Sequence, residues 1–143
     1  MPVTTYTTTT ASPIGHPAYS QTLRRTPSCA AGARGLVRAA LDAWGLGELA
    51  DDGALVVSEL VGNAVRHARC RNVRVTVTRI APDTVRIAVV DRCHARPVRR
   101  SAGDGEVCGR GLLVVEALTV RWGTDQLAYG KRVWAELRGT DTG

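Results

Sequence analysis

Phenylalanine is missing from this chain of 143 residues, and aromatic residues make up 4% of it. Lys131 is the single lysine among 19 basic residues, the rest being arginine, and asparagine occurs twice, as Asn63 and Asn72. The skew reads as a preference for GC-rich codons, so arginine abundance alone carries little functional information. No stretch approaches the roughly 20 consecutive apolar residues that span a bilayer, which excludes a transmembrane helix. The four cysteines (Cys29, Cys70, Cys93, Cys108) have no CxxC spacing. Zinc sites draw on closely spaced ligand pairs, and Cys93-His94 with Cys108 is the nearest approach to one, so reduced, unpaired thiols are the expectation. The segment Met1 to Ser12 lacks the basic start and apolar core of a secretory signal, and a cytoplasmic location is expected.

The chain is 44% apolar, enough to build the core of one ordinary domain. That excludes a tandem-domain enzyme and a disulfide-stapled miniprotein. The formal net charge of +6 suits nucleic acid, a phosphorylated ligand or an acidic partner. The arginines are scattered, with Arg24-Arg25 and Arg99-Arg100 as adjacent pairs. No aromatic residues interleave with them as a base-stacking platform requires, which argues against nucleic acid.

Residues 1–17 are Thr-rich, contain Pro2, Pro13 and Pro17, and read as a flexible tail. The folded domain is expected over 18–139, with 140–143 as a C-terminal tail. A short strand is expected at Tyr19–Leu23. Ser28 is a candidate N-cap for a helix carrying Leu36, Val37, Ala40, Leu41 and Trp44 at helical spacing, ended by Gly45. A second helix is expected to start near Glu48–Asp52, where acidic residues suit the positive end of the dipole, and to run through Ala68. Val73, Val75 and Val77 alternate with polar residues, as do Val85, Ile87 and Val89 across the Pro82-Asp83 turn, which predicts an antiparallel hairpin. Residues 92–109 lack periodicity. A helix opens at Gly109-Arg110-Gly111, and two strands are expected at Val120–Thr124 and Arg132–Leu137. Helices do not alternate one-for-one with strands, which predicts an α+β, two-layer sandwich with a mostly antiparallel, mixed sheet and helices on one face.

Three segments could carry chemistry. Glu59, Asn63 and His67 form an i, i+4, i+8 row along the edge of the second helix's apolar stripe. Such a row is commonly a solvated face, yet asparagine is disfavoured in helix interiors. Its amide oxygen can coordinate Mg²⁺, and a carboxylate one turn away can orient or deprotonate a nucleophile. Asp91 ends a Val/Ile strand, where a carboxylate either terminates the strand in a turn or accepts a hydrogen bond from an amino group in a pocket. Gly109 and Gly111 enter a helix, where glycines either end a loop or let phosphate approach backbone N–H groups. There is no Walker motif and no dinucleotide-binding glycine triplet.

In that order the segments resemble the histidine-kinase-like ATPase superfamily with the Bergerat fold, and within it the anti-sigma-factor serine kinases and related small ATP-binding regulators. The stretch from Ser58 to Ala68 resembles the family's N-box, and Val89-Val90-Asp91 the start of its G1 box. Residues 92–108 would form the ATP lid, and Gly109-Arg110-Gly111-Leu112 with the following valines the G2 box. The last two strands, through Gly130-Lys131-Arg132-Val133-Trp134, resemble the subgroup's closing strands. The resemblance implies ATP and Mg²⁺ as cofactors. It assigns Mg²⁺ to Asn63, the phosphate or sugar surroundings to Arg66 and His67, and the adenine amino group to Asp91. Phosphate falls to Gly109, Arg110, Gly111 and Leu112, and Glu59 becomes the general base toward a serine hydroxyl. It also assigns part of the positive charge to a phosphate-facing lid (Arg92, Arg96, Arg99, Arg100, Arg110). Two positions depart from the pattern: Cys93 stands where the G1 box usually has glycine, and Lys131 where threonine is common. The implied partners are a sigma factor or a STAS-type anti-sigma antagonist, with a homodimer among the expected assemblies. A non-catalytic ATP-binding or protein-interaction module of the same fold is the alternative.

Overall fold

The computed structural model describes residues 7–9, 16–26, 28–67, 71–92, 109–128 and 130–139, with the backbone alone at 7–9, 67, 92 and 109–112. Of the lid expected at 92–108, residues 93–108, with Cys93, His94, Arg96, Arg99, Arg100 and Cys108, lie outside the described residues. So do Cys70, positions 1–6 and 10–15 of the N-terminal tail, and the C-terminal tail at 140–143. The chain forms β1 (Thr7–Thr9), β2 (Ala18–Arg24), α1 (Cys29–Ala43), a 3-10 turn (Gly47–Leu49), α2 (Ala50–His67), β3 (Asn72–Ala81), β4 (Thr84–Arg92), α3 (Gly109–Leu118), β5 (Arg121–Leu127) and β6 (Gly130–Arg138).

The strands make one sheet in the order β1-β2-β3-β4-β6-β5. Every pairing among the described strands is antiparallel, so the parallel component of a mixed sheet is not found among them. The helices pack on one face, giving the α+β two-layer architecture. Strand β1 was not expected: within the stretch read as a tail, Thr7–Thr9 pair with Ser20, Tyr19 and Ala18. Successive β-branched residues favour extended backbone, and the free edge of β2 supplies the partner. β3 and β5 also run further than expected, because pairing to β4 continues past Val77 and pairing to β6 continues past Thr124.

Register explains the core. Val75, Val89 and Val133 lie side by side across three strands, as do Val77, Ile87 and Ala135, and all six are buried on the helix side. The helices answer with Leu36, Val37, Ala40 and Leu41 from α1, Val56, Val57, Leu60 and Val61 from α2, and Val115 from α3. Each such aliphatic side chain contributes roughly 1.5–3 kcal/mol relative to exposure. Tyr19 and Trp44 close one margin with ring centroids 5.4 Å apart. Cys29, also in the core, is a free thiol.

Helix ends follow local chemistry in one case and depart from it in another. α1 stops at a Schellman turn: Leu46 N–H donates to Leu41 O at 2.8 Å and Gly45 N–H to Asp42 O at 3.1 Å, with Gly45 at φ 73°. At its start Ser28 is the N-cap by position but makes no side-chain cap bond; its hydroxyl lies 3.2 Å from that of Thr26. Gly53 lets α2 approach α1, since a Cβ there would sit 3.0 Å from Val37 Cγ1 and 3.2 Å from Leu41 Cδ1.

Candidate functional site

The row predicted on α2 exists, and burial divides it. Asn63 is 4% exposed, an unusual setting for an amide unless the amide is engaged, and it does hold polar interactions. Glu59, one turn earlier, is half-buried. At i, i+4 spacing their Cβ atoms are roughly 5–6 Å apart. Beside Glu59, Ser58 Oγ accepts a hydrogen bond from Arg34 Nη1 at 3.0 Å, which ties α1 to this turn of α2. Sequence reasoning missed that contact: Arg34 belongs to another helix, and nothing local singles it out. Arg66 is exposed in the last turn of α2. His67 closes the helix, with its side chain outside the description.

Asp91 reaches the same end of the molecule by a different route. α2 finishes at His67, and β3 begins at Asn72 after a short connection. Val73, at the start of β3, is the direct partner of Asp91 near the end of β4. Asp91 is two residues beyond Val89, so it shares the helix-covered face with the buried valines. Fold topology thus carries Asn63, Glu59 and Asp91 to one end of the sheet, on its helix side.

α3 begins at Gly109, so Gly109, Arg110, Gly111 and Leu112 form its first turn, with their side chains outside the description. The other end of α3 is fixed near Glu136, where Val120 N–H donates to Glu136 O at 2.9 Å. Glu136 pairs with Arg86, five residues back along β4 from Asp91. Ten helical residues rise about 15 Å, long enough for α3 to reach back from that far end toward the Asp91 end. The first four N–H groups of a helix have no intrahelical acceptor, which makes this turn a place for an anion.

Lys131 was singled out from the sequence, but its neighbour was not foreseen: it is the direct cross-strand partner of Asp91. Opposed residues on one face have Cβ atoms about 4.5–5.5 Å apart, within reach of a long ammonium side chain. Among the described residues no group of three or more His, Cys, Asp or Glu could hold a metal ion. A Mg²⁺ ion here would therefore rely on the Asn63 amide oxygen and on phosphate oxygens, a donor set that suits this hard cation.

Comparison with protein families gives one assignment. Residues 23–135 match the model described as "Histidine kinase-like ATPase domain". The chain belongs to that family. The match runs from the end of β2 into β6, and so includes every candidate site residue predicted from the sequence. No curated protein matches the chain. Family membership makes this an ATP-binding, histidine-kinase-like domain. No helix among the described residues is long and apolar enough to cross a membrane.

Proposed function

We propose that this histidine kinase-like ATPase domain binds Mg-ATP at the end of the sheet where α2, β4 and the start of α3 converge. In this reading it acts as a regulatory serine/threonine protein kinase of the anti-sigma-factor type. The buried Asn63 one turn from half-buried Glu59, at the same end of the sheet as Asp91, carries the reading. Asp91 would accept the adenine amino group, Asn63 would hold Mg²⁺, and the first turn of α3 would direct N–H groups at phosphate. Arg66 and His67 would lie beside the phosphates or sugar. ATP supplies the transferable phosphoryl group and Mg²⁺ spreads its charge. Phosphoryl transfer otherwise asks mainly for positioning and charge neutralisation. Glu59 would take the proton of a protein serine hydroxyl. The substrate would be a STAS-type antagonist, with a sigma factor as the second partner.

Labelled γ-phosphate transfer to candidate antagonists tests this. Glu59→Gln is expected to keep ATP affinity within about twofold and lower transfer roughly 10²–10⁴-fold, the usual weight of a general base. Equal transfer by the variant removes Glu59 from that role. A specific observation supports a second reading, a non-catalytic ATP-responsive module: the Lys131 ammonium stands on the strand position opposite the carboxylate assigned to adenine. Under it, calorimetry finds weak ATP binding and no protein serves as phosphoryl acceptor.

A further inference from the structure

The face of the sheet turned away from the helices takes no part in the nucleotide reading. Strand alternation puts Arg74, Arg86, Arg121, Arg132 and Arg138 on it, with Trp134 and the carboxylates of Glu136 and Asp125. With Arg24, which faces Asn72 on the same side, six guanidinium groups among the described side chains thus face two carboxylates, and both acids are engaged. Glu136, 3% exposed, accepts from Arg86 Nε at 2.9 Å and Arg121 Nε at 3.1 Å, while Asp125 accepts from Arg132 Nε at 3.0 Å. Arg74 spends its donors on the hydroxyls of Ser20 and Thr22, at 2.8 and 3.2 Å. Arg138 is exposed, with no ion pair among the described residues. The face therefore keeps an uncompensated positive charge.

Beside the Glu136 pair lies an open groove of about 440 Å³. Its apolar lining comes from Ile80, Ala81 and Val120, the last of them 50% exposed, and its charged lining includes Arg121 and Arg138. Glu136 also lines the groove, but two guanidinium groups share its one negative charge, so the Arg86–Glu136–Arg121 cluster and Arg138 leave the lining net positive. Apolar surface beside that charge matches an acidic peptide with aliphatic side chains. A second copy fits poorly, because two such faces brought together would repel. Nucleic acid fits poorly as well. The Trp134 ring lies over Gly123 and carries the Arg86 and Arg121 guanidinium carbons at 5.3 and 5.9 Å, leaving it covered as a stacking platform for bases.

We propose that this groove docks an acidic segment of a partner protein, its carboxylates pairing with Arg121 and Arg138 and an aliphatic side chain covering Ile80, Ala81 and Val120. The groove sits at the β3–β4 turn end of the sheet, opposite in both end and face to Asp91, so docking and nucleotide binding are separable.

The probe is a fluorescein-labelled twelve-residue peptide alternating Glu and Leu, followed by anisotropy against the full chain without nucleotide. Binding is expected to weaken at least tenfold with Arg138→Glu and, independently, with Val120→Asp. It should stay within twofold with Arg38→Glu, an equal charge change on exposed α1. Circular dichroism melts verify that each variant is folded. Absence of binding to the wild-type chain, or equal loss in all three variants, overturns the proposal. So does competition by random duplex DNA for the Arg138-dependent signal, which gives the face to nucleic acid. A wild-type dimer in sedimentation that Val120→Asp dissolves also overturns it, giving the groove to a second copy.

Discussion

At the scale of single residues, two side chains on β6 decide most. Lys131 is the direct strand partner of Asp91, and an ammonium that reached that carboxylate would compete with adenine at a weight of roughly 0.2–1 kcal/mol, the range of opposite-charge cross-strand pairs. Lys131→Thr is therefore expected to tighten ATP binding by about two- to fivefold in calorimetry, and an unchanged affinity would show that the ammonium does not compete for the carboxylate. Glu136 illustrates a different balance. Burial alone would raise its pKa, but hydrogen bonds from Arg121 and Arg86, with their charges, outweigh burial and hold it below its ordinary value of 4.5. A carboxylate lowered in the folded state stabilises fully above its unfolded value and loses that contribution as pH falls through the folded one. The wild-type melting temperature should thus fall below pH 4.5 more steeply than that of Glu136→Gln. Parallel profiles would mean the pair contributes nothing to acid stability.

At the scale of elements, the β5–β6 ribbon depends on one glycine. Gly123 is the direct partner of Trp134, and a Cβ there would meet the indole Cζ2 at 2.8 Å. Gly123→Ala forces the ring off the strand and disturbs its contact with Arg86 and Arg121. Overpacking of this kind costs about 1–3 kcal/mol, readable in urea denaturation together with a shift in tryptophan emission. A variant of wild-type stability would show that the ring moves freely. The α1–α2 pair meets at Gly53 in a similarly close contact, but against the ends of Val37 and Leu41, side chains that can give by a few tenths of an ångström.

At the scale of the molecule, one sheet separates two chemistries. Its helix side carries the residues proposed to meet nucleotide at one end, and its bare side carries the arginine-rich face, with the groove at the other. ATP at one hundred times its dissociation constant stabilises the fold by about 2.7 kcal/mol, so the melting temperature should rise on addition of Mg-ATP. Asp91→Asn should abolish most of that rise, and Arg138→Glu should leave it intact. A loss in Arg138→Glu as large as in Asp91→Asn would show that the two ends are coupled.

What the sequence determined by itself is local. Period-two alternation marked β3 and β4, helical spacing marked α1 and α2, and the Glu59–Asn63–His67 row followed from residues spaced four apart on one helix. Tertiary structure decided the rest, because register between distant strands depends on sheet order and on every turn between them. β4 and β6 are adjacent in the sheet although the expected lid, α3 and β5 intervene in the chain. That adjacency sets Lys131 against Asp91 and Arg86 against Glu136, and the β5–β6 pairing places Arg121 on the other side of Glu136. Together the two pairings bury a glutamate that the strand's own sequence would leave exposed, since only there do two guanidinium groups offset the cost of taking its charge out of water.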